Sequence, residues 1–417
     1  MKRITSTSLA LLLLSGCPKA EAPIPPEPSG QNEAARTQAA AAYAAFETRF
    51  FDDWFGQAPV TATVLGVHSG DAKWPDLSAE GRAAAAAWVD EMLAEAGKIE
   101  AAQLEADARV DLRILRDQLA LMKIEHETER SWETSPLAWA YLMGAGMDSL
   151  VYRDYAPLEM RMTALVERLN TLPTVVDQAV AALSDAAAIK APHARVAAGQ
   201  LEGLLTFVDS EIPKKSKELS PELQAQVAAA RKVARDSLIR FRDTVLTDER
   251  LAAAKGEWRL GPEVFAQKLP HTLGMDLSAD EIYARATKTH AEVRARMEAL
   301  AFELYEPLFG KRPPPSADEL GRAAIVKQVL EELAKVHPSP DELRTACENN
   351  LATIGAFVNE KKLVPQDPKE VLEVIWTPPH QRGVAIAGLD PAPPFDDSEG
   401  LQSFYIVQPI PDAWTKA

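Results

Sequence analysis

Of the side chains that could carry chemistry in this chain, the seven histidines stand out, and one of them begins a string close to a zinc-peptidase signature. A His-Glu-x-x-His motif works because two imidazoles one helical turn apart face a metal ion while the glutamate activates water. Here the string reads His126-Glu127-Thr128-Glu129-Arg130. A guanidinium stands where the second imidazole belongs, and it has no lone pair for a metal. The segment therefore reads as a solvated helix end. His68, His193, His271, His290, His337 and His380 are scattered without ligand spacing. There is no Gly-x-Ser-x-Gly elbow, no phosphate-cradling glycine loop and no Cys-x-x-Cys pair. Carboxylate pairs occur at Asp52-Asp53 and Asp396-Asp397, but with a formal net charge of -16 they read as surface groups. Nothing in the sequence sets two carboxylates together as a glycosidase needs, and an esterase built on scattered carboxylates fares no better. By motif alone no active site is legible.

The clearest signal is an address. Met1, Lys2 and Arg3 precede an uncharged stretch ending in Leu11-Leu12-Leu13-Leu14, followed by Ser15-Gly16-Cys17. Basic start, apolar run and small residues before a cysteine make a lipoprotein signal peptide with its lipobox over residues 1–17. The apolar run falls short of the ~20 residues that span a bilayer. Cys17 is thus expected to carry the acyl chains that hold the protein at a membrane surface. Residues 18–31, rich in Pro and Glu, read as a flexible tether. Pro18, rather than aspartate, follows the cysteine, which favours the outer membrane facing the periplasm over the inner membrane.

Composition bounds the rest. With 47% hydrophobic residues and much Ala, Leu, Glu, Arg and Lys, the chain can build a large helical core. Its acidity argues against nucleic acid as a partner. Beyond Cys17 there is only Cys347, read as a core residue, and no intrachain disulfide is expected.

The elements that must position any site follow from spacing. Ala39, Ala42, Tyr43, Phe46, Phe50 and Trp54 predict a helix from Asn32 to about Phe55. Pro59 to Leu77 reads as a structured loop. Ser78 caps a helix to about Lys98, and Ala101 to Glu129 forms its antiparallel mate. Ser131 to Ala156 reads as short helices on the outside of that pair. Arg161–Leu169, Pro173–Ile189, Ala194–Val208 and Pro221–Thr247 read as helices punctuated by Pro173, Pro192, Pro213 and Pro221. Gly261 to Leu269 leads to Ser278 and Glu281, which form a capping box for a helix to about Leu304. Ser316–Lys335 and Ser339–Lys361 follow as helices. The texture then changes: Val371–Trp376, Gly383–Leu389 and Ser403–Val407 read as strands. The expected fold is mainly α, a multi-helix stack over residues 32–417 with a small β region near the C-terminus, and no linker divides it.

Several stretches resemble one bacterial family. Trp258-Arg259-Leu260-Gly261-Pro262-Glu263-Val264-Phe265, Leu277 to Ile282 and Arg294 to Met297 are similar to the middle of the domain of unknown function 885 family. Ala62 to His68 with Asp71 is similar to its opening motif, Arg168-Leu169 with Pro173 resembles its arginine-leucine-proline segment, and Val371 through Phe404-Tyr405-Ile406 resembles its strand region. That family looks like zinc metallopeptidases of helical build, with a His-Glu-x-x-Pro-Gly-His helix after the strands. The sequence stops at Ala417 before such a segment. The resemblance therefore implies the N-terminal part of a larger metallopeptidase-like domain. Zinc is implied for a full-length member but no cofactor for this chain, and no catalytic or metal-binding residue carries over. His380, Arg382 and Tyr405 fall where the family's cleft wall would be. Two readings stand: an inactive portion of a peptide-hydrolysing lipoprotein, or a non-catalytic helical binding or scaffolding lipoprotein holding peptides or partners at the envelope.

Overall fold

A computed structural model describes residues 30–315, 318–365, 369–382, 385–396 and 401–410. The signal peptide, Cys17 and most of the tether lie outside them, as do Ser316, Gly383 and Asp397. The chain divides into two compact units, one made of Met1–Val264 with Gln366–Gln408 and the other of Phe265–Pro365 with Pro409–Ala417. The first unit is discontinuous in sequence, which is why no single linker marks the division.

The first unit contains α1 (Gly30–Gln57), α2 (Pro59–Leu65), α3 (Ala79–Gly97), α4 (Ala106–Ile124), α5 (Ser131–Thr134), α6 (Pro136–Tyr152), α7 (Leu158–Ala182), α8 (Ala191–Thr206), α9 (Ile212–Ser216), α10 (Pro221–Val245) and α11 (Asp248–Ala253). Helix α12 (Gly261–Leu273) spans the division, and α13 (Ala279–Phe309), α14 (Glu319–Leu333) and α15 (Leu343–Lys361) belong to the second unit. Strands β1 (Val371–Trp376), β2 (Ala387–Asp390) and β3 (Gln402–Val407) return to the first. The mainly α architecture with a small C-terminal sheet is as the spacing implies.

Two apolar clusters hold the first unit. Ala39, Tyr43, Phe46 and Phe50 of α1 pack on Val89 and Met92 of α3 and on Leu112, Leu115 and Leu119 of α4. Ser78 caps α3 by accepting from the Gly81 amide. The larger cluster joins α6, α7, α8 and α10. Each fully buried Leu, Met or Phe there contributes about 1.5–3 kcal/mol by leaving water.

Four expectations need correction. Residues 131–156 are not all short helices on the outside of the first pair: only α5 is short, with 4 residues, and α6 is one 17-residue helix carrying Trp139, Met143, Met147 and Leu150 into the main core. Pro59–Leu65 is helical rather than loop, because Pro59 sits in its first turn and Gly66 ends it in the left-handed conformation. Pro173 lies inside α7 instead of dividing two helices. The apolar stripe through Leu165, Leu169, Leu172 and Val176 continues across it, so packing outweighs the hydrogen bond that proline removes. Cys347 is only half-buried, on a helix without a buried residue.

In the second unit the capping box at Ser278 and Glu281 forms with both bonds present. Its small core consists of Ala301, Tyr305, Ile325 and Val329.

The sheet has the order β1-β3-β2. β1 runs parallel to β3 with Val374 opposite Tyr405, and β2 runs antiparallel with Leu389 opposite Tyr405. Among the described residues no strand pairs with the outer edge of β1 or of β2.

Candidate functional site

The sheet is fixed to the helices by charged and polar side chains that the sequence scatters widely. Arg153, at the end of α6, is buried. It donates to the Gln402 carbonyl at 2.6 Å and the Pro391 carbonyl at 2.9 Å, pairs with Asp390 at 2.5 Å, and lies over the Phe404 ring at 5.0 Å. One guanidinium thereby ties β3, the end of β2 and the chain after it to one helix end, a use of its planar fork that lysine could not reproduce.

The turn after β1 brings in His380. Its Nε2 donates to Asp148 Oδ2 at 3.0 Å, and Gln381 Nε2 donates to the same oxygen at 3.0 Å. The carboxylate can only accept, so the Nε2 proton is assigned by its partner. The imidazole is buried and meets Phe207 edge-on at 5.4 Å. Gly203 of α8 makes this approach possible: a Cβ there would stand 2.4 Å from the Pro379 carbonyl oxygen. His380 Nδ1 and Thr377 Oγ1 are buried without a protein partner. Arg382 is exposed and donates from Nε to the Thr377 carbonyl at 3.0 Å, which braces its own turn. Tyr405 is half-buried in the central strand. Of the three residues expected to form a cleft wall, His380 is thus built into the core, while Arg382 and Tyr405 remain accessible.

A second cluster lies around the loop after α2. His68 Nδ1 is 3.2 Å from Asp71, and its Nε2 is 3.1 Å from Asp396 Oδ2. The ring stacks on Tyr155 with centroids 3.5 Å apart. Asp71 also accepts from Thr63 Oγ1 at 2.7 Å and Tyr155 OH at 2.5 Å. Burial opposes charge on both partners, but their hydrogen bonds outweigh it: His68 is held above its ordinary 6.5 and Asp71 below 3.8. Arg168 lies behind them, fully buried. It donates to the carbonyls of Lys73, Gly146, Pro59 and Gly70 and to Thr63 Oγ1. Burial lowers its pKa to about 10, which leaves it charged at neutral pH.

Asp396 corrects the surface reading of Asp396-Asp397, since its side chain is 7% exposed. Sequence reasoning missed Asp148, Arg153 and Tyr155 as well. Arg168 carried the one usable signal, a cation in register with Leu165, Leu169 and Leu172 on the apolar face of α7.

The arrangement bears on two chemistries. Ser135 Oγ lies 2.9 Å from His193 Nδ1, the contact of a hydrolytic dyad, but Ser135 is buried where no substrate reaches it, and burial and Lys190 lower the pKa of His193. The described residues do not fit zinc. Both nitrogens of His68 face carboxylates, His380 spends Nε2 on Asp148, and no group of three His, Cys, Asp or Glu side chains converges among the described residues. His126 lies in a π-turn over Glu125–Glu129, and Arg130 after it adopts the left-handed conformation, so that string is a helix end.

Comparison with known proteins gives the fold a family. The chain is similar to the solved structure of a proposed lipoprotein of unknown function from Shewanella oneidensis, with TM-score 0.65 and 21% identity over 89% of this chain and 65% of that one. It is also similar to the crystal structure of a proposed lipoprotein from Colwellia psychrerythraea, with TM-score 0.59 and 16% identity over 89% of this chain and 67% of that one. The chain thus spans about two thirds of the length of each. No protein of curated function matches it. The family model described as bacterial protein of unknown function (DUF885) matches residues 59–417, and the chain belongs to that family.

Proposed function

We propose that this chain is a lipoprotein anchored through Cys17, most favourably in the outer membrane facing the periplasm, and that it binds extended peptides along the outer edge of β1. The observation that carries the reading is the outer edge of β1, with which no strand pairs among the described residues. β1 leaves Val371 and Leu372 exposed by 38% and 47%, with Glu373 also exposed. A free strand edge is a template for another extended chain, whose main-chain groups complete the ladder while its alternate side chains meet the sheet faces. Lipoprotein neighbours and the signal at Cys17 support the envelope location. Among the described residues no helix is long and apolar enough to cross a membrane.

In the metallopeptidase-like reading this edge is the substrate wall of a peptidase, and the zinc ligands come from outside the described residues. In the binding-protein reading the edge is the whole function. Both need the same peptide-accepting strand edge and part only at the metal. The test is zinc content and peptide hydrolysis on the purified chain and on a form extended by whatever the downstream DNA encodes. Zinc and hydrolysis confined to the extended form support the first reading, and their absence from both supports the second. Stoichiometric zinc in the unextended chain overturns the ligand argument. Loss of lipid labelling in Cys17→Ser tests the anchor.

A further inference from the structure

We propose that the outer edge of β1 selects extended peptides in which a basic residue stands between two apolar ones, with Glu373 as the residue that reads the charge. The inference rests on the peptide-binding reading of that edge and adds the class of peptide it takes.

The alternation is set by the sequence. Val371-Leu372-Glu373-Val374-Ile375-Trp376 places one carboxylate in the middle of an otherwise apolar strand. Successive side chains leave a strand on opposite faces, so Val371, Glu373 and Ile375 share one face and Leu372, Val374 and Trp376 the other. The register with β3 sets Glu373 beside Phe404, and the pairing of β2 sets Asp390 on the far side of the same Phe404. This row thus carries a carboxylate at each end. Asp390 is answered by Arg153, which pairs with it at 2.5 Å. Glu373 has no such partner: it is exposed, and its side chain makes no ion pair or hydrogen bond among the described residues.

A strand laid along this edge continues each row by one residue. Its residue in the Glu373 row stands about 5 Å from a free carboxylate, where a cation is attracted and an anion repelled. Lysine or arginine suits the place by its stem as well as its charge. Val371, 38% exposed, and half-buried Ile375 lie two residues to either side on the same face, an apolar track for the methylenes that leaves the charged head in water. The residues before and after it turn to the opposite face, where Leu372, 47% exposed, and the buried Val374 form an apolar surface that apolar side chains extend. The carboxylate also opposes the simplest competitor, because two copies pairing antiparallel about Glu373 would set like charges opposite each other.

The experiment measures the affinity of the whole chain for three labelled peptides at low salt by fluorescence anisotropy, with hydrogen exchange of the β1 amides to locate them. The peptides are Ser-Thr-Val-Lys-Val-Thr-Ser and its counterparts with Gln or Glu in the central place. The Lys form is expected to bind about fivefold tighter than the Glu form, the scale of one cross-strand charge pair, with the Gln form between them and the gap shrinking as salt is added. Glu373→Gln is expected to bring the three affinities to within about twofold, and Glu373→Lys to reverse their order. A preference for Lys that survives unchanged in Glu373→Gln belongs to the formal net charge of -16 and overturns the assignment. Protected β1 amides with equal affinities overturn this inference alone and leave Glu373 as a guard against self-pairing. Peptides that do not bind, or bind without protecting those amides, overturn the edge reading and this inference with it.

Discussion

His68 and His380 both reach across the chain to aspartates, 328 and 232 residues away, and both fasten the C-terminal sheet to helices, yet they do so by different physics. His380 is a plug. It is buried, meets one carboxylate, packs on Phe207 and sits against α8 where Gly203 leaves room. His68 is an ionic link. It is partly exposed, spans two carboxylates, and depends on protonation for its second bond. The comparison teaches that one small sheet is held by a steric anchor at one point and an ionic one at another, so the two can be perturbed separately.

Perturbing the support shared by the His68 cluster should give the largest effect. Arg168→Met removes one of the two cations near Asp71 and leaves several buried carbonyls without a donor, so urea unfolding is expected to show a loss of about 3–5 kcal/mol. A loss under 1 kcal/mol would mean the cluster does not depend on the guanidinium.

The steric anchor is tested by a pair of glycines on α8. Gly203→Ala is expected to cost about 1–3 kcal/mol, because the new methyl meets the Pro379 carbonyl. Gly199→Ala, with nothing within 4 Å of its Cβ, should stabilise by up to about 1 kcal/mol through helix propensity. Opposite signs on one helix sharpen the plug interpretation, and equal signs break it.

The ionic anchor should give a modest effect that depends on pH. Asp396→Asn is expected to lose about 1.5 kcal/mol at about pH 6, the scale of a hydrogen bond to a charged group. The raised pKa of His68 sets the sign: the deficit is present while His68 is protonated and shrinks as pH rises through the folded value. The gap between the denaturation midpoints of wild type and variant should therefore narrow on the alkaline side. Divergence there would show that Asp396 acts without its proton partner.

How much of this was legible follows from the range of the interactions. β1 was readable because Val371 to Trp376 are β-branched and apolar over a short run, and α13 because a capping box is complete within four residues. Helix α6 was misplaced because its Trp, Met and Gly content identifies no exposed face, and only tertiary packing shows that it is central. The Asp396 and Asp148 contacts were out of reach because no local pattern announces a partner hundreds of residues distant. Pro173 misled because helix breaking is a local rule that a continuous buried stripe overrides.

The measurement that bears most directly on the central claim is hydrogen exchange across the sheet of the purified chain, with and without a saturating set of extended peptides. Peptide-dependent protection of backbone amides in Val371–Trp376 is the predicted result. Peptide binding that leaves those amides unchanged and protects another surface would contradict it.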